Sequence, residues 1–124
     1  MKNNTSRTEK IILQKIINHC NEISEILTRI ENDYENFTND FVYQYAISTC
    51  ILRIGELTVR LSDEFKTKHN LIPWQLIKAM RNIHAHDYEN LNLKLIWTTI
   101  TKDVPKLKTD LQKIITEELE GEGI

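Results

Sequence analysis

Turn-forming residues are scarce in this chain, with three glycines and two prolines among 124 residues. A sandwich or barrel of short strands needs turn chemistry about every 8–12 residues, so the scarcity favours a few long helices over many short strands. Cysteine is scarce as well. Cys20 and Cys50 have no C-x-x-C spacing, which removes a disulfide scaffold and a zinc finger readable from sequence. Two buried free thiols are expected, with neither a metal nor a cofactor. Charge of one sign is not in excess. Sixteen Lys and Arg face eighteen Asp and Glu, a net charge of -2, so a broad basic surface for nucleic acid is absent. An RNA partner would need a local contact or the pairing of two chains. No apolar run is long enough to span a bilayer. The polar start Met1-Lys2-Asn3-Asn4-Thr5-Ser6-Arg7 precedes no signal-type apolar stretch. The chain therefore reads as cytoplasmic, with no membrane partner.

What the chain does have is helical periodicity. Thr8 can cap a first helix whose apolar stripe is Ile12, Ile16, Cys20, Ile23, Leu27, Ile30 and Tyr34, in steps of three and four. Asn39 or Asp40 can cap a second, running to about Asp63 and apolar over most of its circumference, hence central or at a subunit contact. Gly55 in its middle costs up to about 1 kcal/mol relative to Ala, which implies a close helix crossing. Glu56 beside it has Arg53 and Arg60 at pairing distance along a helix. Residues 66–71 read as a loop. Pro73 suits the first turn of a third helix with Trp74, Ile77 and Met80 on one stripe. Asn90 or Asn92 can cap a fourth helix, in which Pro105 either forms a kink or starts a fifth helix. The expected fold is all-α, an antiparallel four- to five-helix bundle over residues 8–120, with tails at 1–7 and 121–124.

The chemistry concentrates in one run, Met80-Arg81-Asn82-Ile83-His84-Ala85-His86-Asp87-Tyr88. Arginine is a permanent charge whose planar fork matches phosphate oxygens, and histidine titrates nearest neutral pH. Arg81, His86 and Tyr88 form R-x4-H-x-Y. Five α-helical positions rotate by about 140° net, so Arg81 and His86 converge only if the helix ends or distorts near Ala85, or if two chains meet at an axis. His84, at i+3, shares the face of Arg81. Trp74 and Trp97 lie on apolar stripes and read as core, while His19 and His69 read as surface residues. His84 and His86 lack an evident third ligand, so a metal pair is not expected.

The order of Arg53-Ile54-Gly55-Glu56, Arg60-Leu61-Ser62-Asp63-Glu64-Phe65, Ile72-Pro73-Trp74, Met80-Arg81-Asn82, His86-Asp87-Tyr88 and Ile96-Trp97 through Pro105-Lys106-Leu107 resembles the HepT-like branch of the HEPN superfamily, over roughly residues 8 to 119. The resemblance implies a metal-independent endoribonuclease toxin, homodimeric, with the motifs of both chains lining one cleft. It implies that Arg81 holds the scissile phosphate and that His86 is the general acid or base at the ribose 2′-OH and the leaving 5′ oxygen. Asn82 matches a polar neighbour that orients the arginine or the phosphate, and His84 is accessory. Tyr88 matches the tyrosine to which an MntA-like nucleotidyltransferase antitoxin transfers AMP, as in a type VII-like toxin–antitoxin system. The RNA would be tRNA or mRNA. The alternative is a non-catalytic HEPN interaction or nucleotide-binding module that partners a nucleotidyltransferase.

Overall fold

The structure is a computed structural model that describes residues 6–82 and 92–122, with the backbone alone for 119–122. Among the described residues all regular structure is helical, as the sequence predicts. In order these are α1 (Arg7–Arg29), α2 (Tyr34–Thr38), α3 (Phe41–Val59), α4 (Asp63–Lys68), α5 (Trp74–Lys78), α6 (Leu93–Thr98) and α7 (Val104–Glu122). A 3-10 turn, Ala79–Asn82, continues α5, and a π-helical turn, Thr99–Asp103, joins α6 to α7. No described helix is long and apolar enough to cross a membrane.

Side-chain caps set most of the boundaries. Ser6, not Thr8, opens α1, and its Oγ accepts from the Glu9 N–H at 3.1 Å. The Glu9 carboxylate then reaches away from its own helix. Its Oε2 accepts from the N–H and the Oγ of Ser62, the residue that caps α4. Farther along α1, Glu22 Oε1 lies 3.7 Å from Cys50 Sγ. The start of α1 thus meets the end of α3 and its middle meets the middle of α3, which makes the pair antiparallel. Asp40 caps α3 and Asn92 caps α6, each accepting at 3.0 Å from a backbone N–H in the first turn of its helix.

Several other boundaries differ from the expectation. Helix α1 stops at Arg29, so Tyr34 begins α2 instead of extending the first stripe. The chain turns through Glu31 and Asn32 at φ of 58° and 53°, a left-handed pair without glycine. Each such residue costs roughly 1–2 kcal/mol relative to right-handed backbone. The turn is closed in part by the Asn32 N–H, which donates to Leu27 O at 2.8 Å. Helix α3 ends at Val59, short of Asp63, because Ser62 recruits the next residues into α4. Residues 66–68 are therefore helical, and the turn is confined to residues 69–72. Pro73 precedes the first residue of α5 by one position. Pro105 is the second residue of α7, one position beyond the N1 place expected of a fifth helix, and the π turn leads into it without a loop. Proline lacks an N–H and its ring collides with the carbonyl four residues back. The π turn widens the helix immediately before it, with the Val104 N–H donating to Thr99 O five residues earlier.

The core is aliphatic. Leu13 and Ile16 of α1, Ile47, Ile51 and Ile54 of α3, Ile96, Ile100 and Leu111 are fully buried. Each contributes on the order of 1.5–3 kcal/mol relative to exposure. Trp74 and Trp97 pack against this core, as expected of their stripes. Cys20 and Cys50 are buried free thiols. Burial pushes both up to about 12, and the Glu22 carboxylate adds to the effect at Cys50.

His69 is less exposed than its reading as a surface residue implied. It stacks on Phe65 at 4.6 Å, and its Nε2 is buried without a hydrogen-bond partner among the described residues. Burial, with Lys68 alongside, lowers its pKa below the ordinary 6.5. The unfolded chain takes up a proton near that ordinary value while the folded chain resists it. Stability from this group is therefore present above about pH 6.5 and lost as pH falls toward the lowered folded value. The expected result is a urea midpoint that drops between about pH 7.5 and about pH 5.5, with part of the drop removed in His69→Gln. An identical pH dependence in the variant would contradict it.

Candidate functional site

The site begins with how α5 is fixed. Trp74 Nε1 donates to the carbonyls of Lys66 and His69, at 3.2 and 3.0 Å, which ties the start of α5 to the end of α4. Ile77 and Met80 are buried and anchor the inward face. After Lys78 the α-helix tightens into the 3-10 turn that carries Arg81 and Asn82. Residues three apart eclipse one another in a 3-10 turn, so each step along one face is maintained. With Trp74, Ile77 and Met80 turned inward, the adjacent face presents Gln75, Lys78 and Arg81.

Behind this turn lies Gly55 of α3. A β-carbon built on Gly55 would stand 2.6 Å from the Arg81 backbone nitrogen, 2.9 Å from its Cγ and 3.2 Å from its Cα. Real carbon contacts do not occur at the first of these separations, so only glycine lets α3 and the 3-10 turn pack this closely. The close crossing that Gly55 implied is present, and its partner is the arginine of the motif. The stem of Arg81 is held against α3 while the residue remains exposed.

Gln75, Lys78, Ala79, Arg81 and Asn82 line a surface recess of about 230 Å³. Among the described residues its lining supplies two cations and two amides and no carboxylate. Among the described residues no ion pair or hydrogen bond engages the Arg81 guanidinium. A guanidinium fork beside a lysine and amide donors can give charge-assisted hydrogen bonds to the oxygens of a phosphate group.

Arg81 and Asn82, consecutive in the sequence, both line the recess. His84, His86, Asp87 and Tyr88 lie outside the described residues. The 140° divergence expected of Arg81 and His86 presumed an α-helix through Arg81. The α-helix gives way at Ala79, well before Ala85, so that presumption fails at its first residue. Arg53 and Arg60 are exposed on α3 and at its end, and neither lines the recess. Glu56 is exposed and belongs to none of the ion pairs among the described residues, so the expected pairing with Arg53 or Arg60 is absent. Sequence reasoning missed Gln75 and Lys78. Their signal was available in the spacing 75, 78, 81, one residue out of phase with the apolar stripe.

With the geometry in place, similarity to known proteins adds a second line. A family model described as ribonuclease HepT-like matches residues 9–114. A protein of Caldanaerobacter subterraneus subsp. tengcongensis whose name is that of a putative RNase is 32% identical over 112 residues, covering 90% of this chain and 98% of that protein. A Methanocaldococcus jannaschii protein with the same kind of name is 30% identical over 108 residues, covering 87% of this chain and 97% of its own length. A Thermococcus cleftensis protein named "Probable ribonuclease HepT" is 32% identical over 93 residues, or 75% of this chain and 84% of that protein. No solved structure matches the chain.

The contact at Gly55 makes a prediction whose sign is informative. In an open helix Gly→Ala stabilises by roughly 0.5–1 kcal/mol. Here the added methyl must displace the backbone of Arg81, an overpacking effect of typically about 1–3 kcal/mol. Gly55→Ala is therefore expected to lower stability in urea denaturation. A more stable Gly55→Ala chain would show that the two backbones are not in contact.

Proposed function

The chain belongs to the HepT-like ribonuclease family, and on that premise we propose that it is an endoribonuclease toxin whose working site is built around Arg81. The observation that supports the reading is the recess where Arg81, Lys78 and Asn82 offer cationic and amide donors, with no carboxylate among its described lining residues. That donor set fits a backbone phosphate of RNA. The Arg81 fork binds the scissile phosphate and stabilises the charge that builds on its non-bridging oxygens during attack.

His86 supplies the proton transfers. As general base it removes the proton from the ribose 2′-OH, whose oxygen attacks phosphorus while the bond to the 5′ oxygen breaks. The leaving 5′ oxygen takes a proton from an imidazolium. The products are a 2′,3′-cyclic phosphate and a 5′-hydroxyl. One histidine cannot be base and acid in the same instant, and a homodimer that joins two R-x4-H motifs in one cleft provides both. Charge stabilisation and proton transfer both come from side chains, which is the basis for proposing metal-independent chemistry. Asn82 orients the arginine or the phosphate, and His84 is an accessory group.

Tyr88, two residues beyond His86, is the proposed acceptor of AMP from an MntA-like nucleotidyltransferase antitoxin. Each added nucleotide places negative charge and bulk where RNA phosphate binds, so modification would switch cleavage off.

The test uses purified chain with tRNA or mRNA, reading cyclic-phosphate ends. Arg81→Ala and His86→Ala are each expected to lower cleavage by about 10²–10³-fold with the fold intact by circular dichroism. Arg81→Lys should not restore it, because an ammonium lacks the bidentate fork. DNA, without a 2′-OH, should remain uncut. Cleavage undiminished in both alanine variants would remove these residues from the site. Incubation with the nucleotidyltransferase and ATP should silence the native chain and spare Tyr88→Phe.

A further inference from the structure

A second cluster of reactive side chains lies on the seam between α1 and α3, apart from the Arg81 recess. His19 and Glu22 stand one turn apart on α1, with His19 Nδ1 and Glu22 Oε1 separated by 2.7 Å. Cys50 of α3 points its Sγ at the same carboxylate oxygen, 3.7 Å away. The imidazole nitrogen, the carboxylate oxygen and the sulfur all lie within 4.8 Å of one another. We propose that His19, Glu22 and Cys50 bind a zinc ion that clamps α1 to α3.

The donor set identifies the metal. Calcium and magnesium favour all-oxygen sites, whereas one nitrogen, one sulfur and one oxygen suit zinc. Zinc distances of about 2.0–2.3 Å to such donors put tetrahedral ligand atoms about 3.3–3.7 Å apart. The sulfur and the carboxylate already stand at that spacing. The imidazole and the carboxylate, at 2.7 Å, need to separate by up to about 1 Å, and the imidazole and the sulfur, within 4.8 Å, to close by up to about 1 Å, shifts on the scale of rotation of the Glu22 side chain, 58% exposed, and of the His19 ring. Its exposure also leaves the fourth position open to water, as in three-ligand zinc sites.

The charges balance. Zinc displaces the Cys50 thiol proton to solvent, and the thiolate and the Glu22 carboxylate together neutralise the dication beside a neutral imidazole. A buried thiol that would otherwise stay protonated becomes part of a neutral complex. Without metal, the same atoms form a hydrogen-bonded trio between two helices, and this is the outcome the experiment must separate from a metal site.

The clamp has a structural role independent of RNA cleavage. Cys50 precedes Gly55 by five residues on α3, about 7.5 Å along the helix axis. Zinc would fix the segment of α3 that seats the 3-10 turn while touching none of the recess residues. The proposal stands whether or not the chain cuts RNA.

The test is titration of the metal-free full chain with zinc against a chromophoric chelator, with cobalt as a spectroscopic substitute. One zinc per chain is expected. The cobalt form should show a thiolate-to-metal charge-transfer band in the near ultraviolet and the visible bands of a tetrahedral site. Zinc should raise the thermal midpoint of the native chain. Glu22→Gln and His19→Gln sit on the outer part of the cluster and are expected to leave the fold intact. Each should weaken zinc binding by at least about tenfold, the effect seen even for groups that only support a ligand. Cys50→Ser should abolish the charge-transfer band, and Cys20→Ser should retain it. No zinc uptake by the native chain, or a charge-transfer band that survives Cys50→Ser, would overturn the site and leave a hydrogen-bonded trio only.

Discussion

The contact between Gly55 and the backbone of Arg81 constrains more of this molecule than any other. Two backbones approach within a distance that admits no side chain, so α3 and the 3-10 turn cannot slide past one another without collision. Each neighbouring element keeps that crossing in place. Helix α1 lies antiparallel along α3, with Glu9 holding the cap of α4 at one end. Met80 and Ile77 are buried, one turn apart, so the turn is anchored from its inner side. Trp74 is hydrogen-bonded to the carbonyls at the end of α4, which fixes where α5 begins. The arginine is thus located by its main chain and stem, and the residue is exposed.

A chain this poor in glycine and proline must turn by other means, and the means chosen explain which parts of the fold were legible. The stripe of α1 was readable because apolar burial imposes a period of three to four residues, and α3 was readable as a helix apolar over most of its circumference. The caps at Asp40 and Asn92 were readable because a short carboxylate or amide satisfies free backbone donors. The turn after α1 was not readable. Tyr34 falls at a helical step from Ile30, and nothing in the local sequence distinguishes a continued stripe from a break through two left-handed residues. The π turn before Pro105 was equally hidden. A proline inside a helix signals a conflict with the carbonyl behind it, but sequence does not say whether the helix answers by bending, by breaking or by widening.

The candidate site divides in the same way. Arg81 and Asn82 were identifiable by chemical type, and Gly55 by its cost within a helix. That Gly55 and Arg81 meet was not readable, because a contact between residues 26 apart depends on the whole packing of α3 against α5. Lys78 and Gln75 were missed because they are ordinary surface residues until the inward stripe is fixed. The seam at His19, Glu22 and Cys50 shows the same limit. Two members share a helix face, while the third arrives from another helix and carries no spacing signal.

The net charge of -2 bears on what kind of recognition this architecture permits. Exposed charges are screened beyond about 8–10 Å at physiological ionic strength, so a near-neutral chain gains little long-range attraction for a polyanion. Affinity for an anion must come from short-range contact, where charge-assisted hydrogen bonds to a guanidinium fork are strong. Such contact orders a long side chain, and an arginine carries about 2 kcal/mol of rotamer entropy to lose. The packing of the Arg81 backbone and Cγ against Gly55 restricts part of that freedom before any ligand arrives. The helix penalty at Gly55 and an exposed Arg81, whose guanidinium meets no carboxylate among the described residues, are therefore one arrangement. The cost of glycine in α3 thus accompanies a close seat for the Arg81 main chain and stem, beside Lys78 in the same recess.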